Sequence, residues 1–336
     1  MNNYPRVFVI GAGAFGSALS SIIASSGNYC VTLLGRHESL IQQLKKSRIN
    51  TKYLPGIKLS NCLNFATDYK SLEEADIVLF ATSSQGYGEA IKFYGKWIKC
   101  SADIIICSKG FDYNSGMLLS EYSERILSSH CFSVLSGPGF ATDLAQGLPV
   151  AVILASKSME RSKRLSEILS NNSFSIDCSD DRIGVQLGGA LKNIIAIASG
   201  ILKGRKFGDS SRAMIMVHGL SEIAELSRVM GGRIDTIWGL SGLGDLILTA
   251  TSEKSRNFRF GVLLGQGNKT DINKMGLVEG SIAASLVVKM ATDFGLDLPI
   301  FRAISDVVVG NITVNEVLNV FFNYPSHMNK IKSRII

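Results

Sequence analysis

The sequence predicts a doubly wound α/β sheet followed by an all-α domain. Three observations carry that expectation. Short Val/Ile/Leu runs alternate with helical stretches through the first half of the chain. Those runs are continuously apolar, as in a parallel sheet buried on both faces, and lack the in–out alternation of a half-exposed strand. Strand signals then fade near residue 180 and helical spacing takes over, which sets the expected domains at 1–180 and 181–336.

Each element has its own signal. Arg6–Ile10 is an apolar run that ends in glycine, and Ala14–Ser26 has helical spacing up to Gly27. Cys30–Leu34 is a second strand, closed by Gly35. Ile77–Ala81, Ile104–Cys107 and Phe132–Leu135 repeat the pattern, and Ala151–Leu154 and Ser173–Asp177 are further candidates. Asp181–Leu202, Ala213–Met230, Glu279–Phe294 and Asn315–Phe322 read as helices. Asp180 and Asp181 offer an N-cap and carboxylates for a first turn.

Composition excludes several classes. With 336 residues and 46% hydrophobic content the chain can fill two cores and is not disordered. Its 35 basic and 28 acidic residues leave +7, spread along the chain, a charge that favours small anions in a cleft. No basic run is interleaved with aromatics, so nucleic acid is not an expected partner. The six cysteines form no CxxC pair and the four histidines are far apart, so no metal is expected; the cysteines read as core residues of a reducing compartment. The N-terminus lacks a signal-peptide pattern and no apolar run approaches about 20 residues. The expectation is a cytoplasmic protein that does not span a membrane.

Gly11-Ala12-Gly13-Ala14-Phe15-Gly16 stands between a strand and a helix at the head of several βα units. Gly11 permits a tight turn, Gly13 lets a pyrophosphate approach the backbone, and Gly16 lets helix and sheet pack closely. The helix N-terminus then offers free N–H groups to the phosphates. That is the dinucleotide fingerprint of a Rossmann-type domain. After the second strand, where an NAD-specific site carries Asp or Glu, the sequence has Gly35-Arg36. A guanidinium pairs with a 2′-phosphate or stacks on adenine, so NADPH is favoured over NADH.

Ile183–Leu202 is apolar nearly all round, and Lys192 is its one charge between Arg182 and Lys203. Gly188, Gly189 and Ala196 are its small neighbours, which leaves room over the ammonium for a ligand, and Asn193 is adjacent. Buried lysines lose pKa readily and serve as proton donors and acceptors. Lys109 follows the strand Ile104–Cys107, and Ser136-Gly137-Pro138-Gly139 follows the next strand in the same way. Two loops at that edge of a parallel sheet could bracket a small anion. Gly239–Gly261 is rich in glycine and small polar residues and holds Asp245, Ser255, Arg256 and Asn257. Ser-Arg-Asn suits a phosphate, and an ordinary surface loop is equally consistent with it.

The segments GAGAFGSAL, CSKG, LSGPGFATD, GVQLGGALKNIIAIASGI, GLGDLILT, SRNFRFG and VEG, in this order and spacing, resemble the bacterial-type NAD(P)-dependent glycerol-3-phosphate dehydrogenases. The resemblance runs from about Val7 to about Pro299. It implies reversible reduction of dihydroxyacetone phosphate to sn-glycerol 3-phosphate for phospholipid synthesis, and a homodimer formed through the helical domain. It further implies Lys192 as the catalytic proton donor or acceptor, and Lys109, Gly137, Gly139, Asp245, Ser255, Arg256 and Asn257 at the substrate. Ala14, Phe15, Arg36, Lys109, Ala141, Arg256, Leu277 and Glu279 would line the cofactor. Three positions depart from the family pattern: Gly139 for Ser or Thr, Asp143 for Glu, and Val217-His218-Gly219 for Thr-Arg-Gly. Two alternatives stay open. A β-hydroxy acid dehydrogenase also uses a helix lysine, but Ser255-Arg256-Asn257 suits a phosphate better than a carboxylate. A cofactor sensor without turnover would have no use for Lys192.

Overall fold

Eight strands form one sheet because their apolar runs have two faces to bury. The computed structural model describes residues 4–27, 29–268, 275 and 278–324. The chain divides into two compact units, 1–186 and 187–336. In the first unit the strands are β1 (Arg6–Ile10), β2 (Cys30–Leu34), β3 (Leu63–Ala66), β4 (Ile77–Phe80), β5 (Asp103–Ile106), β6 (Cys131–Ser136), β7 (Val150–Ser156) and β8 (Phe174–Ser179). Their order is β3-β2-β1-β4-β5-β6-β7-β8. The helices between them are α1 (Ala14–Ala24), α2 (Glu38–Ser47), α3 (Ser84–Tyr94), α4 (Leu119–Ile126), α5 (Ala141–Ala145) and α6 (Met159–Leu169). Val7, Val9, Val31 and Leu33 pack on one face with residues of α1 and α6. Phe8, Ile10, Val78 and Phe80 pack on the other with residues of α3 and α4. Consecutive residues of one strand thus enter two cores, which is why the runs are apolar without alternation.

Two expectations need correction. The sheet is not wholly parallel: β7 runs antiparallel to β6, with β8 parallel to β7. The β6–β7 connection holds only the five-residue α5, which packs on α1 instead of crossing the sheet, so the chain re-enters from the same end. The cysteines are not core residues. Cys107 alone is buried, whereas Cys30, Cys62, Cys100 and Cys131 are exposed. Cys30 and Cys131 are the first residues of β2 and β6, where the strands emerge from the core.

The boundary between the units falls inside α7 (Arg182–Gly204). Asp181 caps it by accepting from the Gly184 N–H at 2.8 Å. This helix also amends the hydropathy reading. At 23 residues with mean hydropathy 1.5 over its apolar window, it is long and apolar enough to cross a membrane, yet that window is wholly buried in protein. It is a core helix. Around it lie α8 (Asp209–Val229), α9 (Ile234–Ile237), α10 (Asp245–Thr251), α11 (Arg256–Gly265), α12 (Glu279–Asp293), α13 (Pro299–Val309) and α14 (Val314–Phe322). Glycines let α11 touch α7 backbone to backbone. A Cβ on Gly200 would lie 2.2 Å from the Phe258 carbonyl oxygen, and one on Gly261 would lie 2.1 Å from that of Ile197.

The first turn of α13 has no cap of its own, because Leu298 precedes it. Glu222 of α8 takes that role, accepting from the Ile300 and Phe301 N–H groups at 2.8 and 3.1 Å. Burial pushes its carboxyl up to about 8, although both N–H donors and Arg302 oppose the shift. A carboxyl raised in the fold binds its proton more tightly there than in the unfolded chain. Its stabilising contribution is therefore complete below about 4.5 and declines as pH rises towards about 8. Stability of the wild type minus that of Glu222→Gln is expected to fall across this window by up to ~1.4 kcal/mol per pH unit. Urea unfolding at several pH values measures it; a flat difference would show that Glu222 titrates alike in both states.

Candidate active site

The glycine-rich turn has the geometry its sequence demands. Gly11 has φ +116° and its hypothetical Cβ would lie 2.7 Å from the Ala81 carbonyl oxygen. A Cβ on Gly16 would lie 1.9 Å from the Gly11 carbonyl oxygen. Gly13 is the N-cap of α1, supplies no side chain to its N–H groups, and has open space above it. An uncapped helix N-terminus under free space, opened by Ala14 and Phe15, fits a pyrophosphate. Arg36 is exposed after β2, and its Nε donates to His37 Nε2 at 3.2 Å.

At the same sheet edge Lys109 Nζ donates to the Gly137 carbonyl at 3.0 Å. The two loops noted after β5 and β6 are therefore joined. Gly137 has φ +137° and packs against Val152, so a side chain there would be strained. Gly139 differs: its Cβ would approach Val150 Cγ1 at 3.2 Å, and a small side chain needs only a slight adjustment. Ala141 opens α5, with Asp143 in its first turn.

In the helical unit Lys192 is 7% exposed and Asp245 is 1% exposed. Lys192 Nζ donates to Asp245 Oδ1 and, at 2.7 Å, to Thr249 Oγ1. Asp245 and Thr249 lie one turn apart on α10, so both oxygens address the same ammonium. The sequence reading missed Thr249; its spacing of four from Asp245 was the available signal. That reading also left space over Lys192 at Gly188, and this is overturned in part. A Cβ at Gly188 would lie 2.8 Å from the Ser241 carbonyl oxygen, so backbone of the π-helical turn Leu240–Gly244 already fills the gap.

Ser255-Arg256-Asn257 is the N-terminus of a helix and not an ordinary surface loop. Ser255 is the N-cap of α11, its hydroxyl accepting from the Phe258 N–H at 3.2 Å. Asn257 is buried and its Oδ1 accepts from the Gly280 N–H at 2.9 Å, which leaves its Nδ2 to donate. Asn193 Nδ2 donates to Glu279 Oε2 at 3.2 Å. The lysine helix, α11 and the start of α12 are thus tied together. Arg256 is the first residue of α11 and exposed, and among the described residues its guanidinium has no side-chain partner. A ten-residue helix with an exposed arginine as its first residue offers an anion both N–H groups and a guanidinium. Leu277 lies outside the described residues.

A dinucleotide-binding sheet and a helical unit with a buried, doubly held lysine define a nicotinamide-dependent dehydrogenase. Residues 6–162 match the N-terminal model of the NAD-dependent glycerol-3-phosphate dehydrogenases and residues 181–319 match the C-terminal model. The chain belongs to that family. A glycerol-3-phosphate dehydrogenase [NAD(P)+] of Rhizobium etli is 45% identical over 320 residues, which cover 95% of this chain and 98% of the relative. The like-named protein of Agrobacterium fabrum is also 45% identical, with the same coverage of both chains. The crystal structure of glycerol-3-phosphate dehydrogenase from Coxiella burnetii superposes with a TM-score of 0.87 at 33% identity, over 94% of this chain and 98% of that one.

Proposed function

We propose that the chain interconverts dihydroxyacetone phosphate and sn-glycerol 3-phosphate with an NAD(P) cofactor, Lys192 serving as the catalytic acid and base. The observation that carries the reading is the Lys192–Asp245–Thr249 cluster in the same unit as the arginine-bearing terminus of α11. Lys192 donates a proton to the alkoxide oxygen that develops at C2 and, in reverse, takes the hydroxyl proton. Asp245 and Thr249 fix the direction of its Nζ. Arg256, Ser255, Asn257 and the N–H groups of α11 hold the phosphate, turning remote binding energy into placement of C2. Lys109, with Gly137 and Gly139, serves cofactor and substrate at the sheet edge. Gly11, Gly13 and Gly16 with the start of α1 hold the pyrophosphate, and Ala14, Phe15, Arg36, Ala141, Arg256 and Glu279 line the rest of the cofactor. When bound, the nicotinamide supplies or accepts the hydride.

Family resemblance supports a cytoplasmic homodimer that makes a precursor of phospholipids. Loss of nicotinamide absorbance on adding dihydroxyacetone phosphate to protein and NADPH tests the activity. Cofactor binding without turnover would return the chain to the sensor reading.

Arg36→Asp is expected to shift preference towards NADH by at least tenfold in the ratio of kcat/KM values. The carboxylate accepts from a ribose hydroxyl and repels a 2′-phosphate, whereas the guanidinium does the reverse. An unchanged ratio would remove Arg36 from the adenosine end.

A further inference from the structure

A cleft of about 420 Å³ opens beside the end of β2, lined by His37, Ser39, Leu40, Gln43, Lys52 and Tyr53. Its floor is the first turns of α2, and its far wall is the turn carrying Lys52 and Tyr53. That turn is pinned to the glycine-rich loop. Asn50, fully buried, donates from Nδ2 to the Ala12 carbonyl at 3.1 Å and to Ser17 Oγ at 2.8 Å. Gln43 braces the same turn, donating to the Ile49 carbonyl at 2.8 Å. Arg36 donates to His37 of the near wall. A dinucleotide with its pyrophosphate on α1 directs its adenosine ribose to the end of β2.

The charge there is one-sided. Residues 36–58 hold six Lys or Arg against the single acid Glu38. Glu38 accepts from Thr67 Oγ1 at 2.6 Å and from Gln42, and these bonds hold its carboxyl below the usual range. The one carboxylate of this segment is therefore already engaged. Lys52 is exposed, its ammonium lying 5.1 Å from the Tyr53 ring centroid.

We infer that Lys52, on the turn that walls this cleft, is a further determinant of NADPH over NADH, pairing with the 2′-phosphate that the Arg36 reading places here. The inference rests on the dinucleotide-dependent reading above and adds Lys52 as a specificity-determining residue from outside the β2–α2 loop.

Calorimetric titration of the full chain with adenosine 2′,5′-bisphosphate and with AMP tests it without turnover. The wild type is expected to prefer the bisphosphate. Lys52→Gln is expected to lower that preference about three- to tenfold, and added salt should narrow the difference between the two proteins. Lys46→Gln, on α2 but outside the cleft, should leave the preference unchanged. The NADPH/NADH ratio of kcat/KM should follow the same order. Full preference retained by Lys52→Gln would overturn the inference and leave Arg36 as the discriminator, with the dehydrogenase reading intact. Equal weakening of both ligands would overturn it too, placing Lys52 at the adenosine and not at the phosphate. Failure of the wild type to bind either ligand or either cofactor would sink both readings.

Discussion

Lys192→Met is expected to lower kcat by about 10²–10⁴-fold, the usual contribution of a positioned acid or base. Methionine fills similar volume in an apolar helix, so α7 itself should tolerate it. The partner does not. Asp245, 1% exposed, loses the ammonium it accepts from, and the Thr249 hydroxyl, 3.4 Å away, carries no charge to replace it. Removing one member of a buried ion pair commonly costs about 3–5 kcal/mol. The single variant should therefore be both inactive and less stable, and instability alone could mimic the loss of activity. Lys192→Met/Asp245→Asn separates the two effects. The amide removes the stranded charge, so the melting temperature should recover while turnover does not. Cofactor affinity, measured by quenching of protein fluorescence, should stay within a fewfold in both variants. A single variant that keeps turnover within a fewfold of the wild type would show that this lysine is not the catalytic group.

The dinucleotide unit was legible because its constraints are local. A turn of Gly11, Gly13 and Gly16 between an apolar run and a helix encodes backbone conformation and close approach in adjacent residues. Reversal of β7 was not legible, since Ala151–Leu154 is as apolar as any parallel strand and direction is set by the short connection before it. Lys192 stood out as a lone charge on a buried helix. Thr249 did not, because a threonine four residues after an aspartate acquires meaning only when α10 faces α7. Gly188 misled for a related reason. Small residues signal either empty space or a close neighbour, and periodicity along one helix cannot say which. Ser255 and Asn257 were legible as a set, although much of their bonding capacity serves the cap of α11 and the Gly280 N–H. Arg256 is the member of that tripeptide with its donors uncommitted among the described residues.

That difference makes Arg256→Leu the sharpest probe of the anion site. The guanidinium offers charge-assisted bonds to a phosphate, each worth about 1.5–3 kcal/mol. Their removal should lower kcat/KM for dihydroxyacetone phosphate by roughly tenfold to a few hundredfold. The loss should stop short of abolition, because the N–H groups at the start of α11 and the Asn257 amide remain in place. Leucine is a good helix former at this exposed first position, so the melting temperature should hardly move. Arg259→Leu, one turn further along α11 and also exposed, removes the same charge away from the helix end and should cost at most about twofold. Dihydroxyacetone isolates the phosphate. It should be a poor substrate of the wild type and should lose little in Arg256→Leu, since the deleted bonds were never made to it. Losses of equal size on both substrates would assign Arg256 to the cofactor. No loss on either would remove Arg256 from the proposed phosphate site and return its guanidinium to the role of an ordinary surface charge.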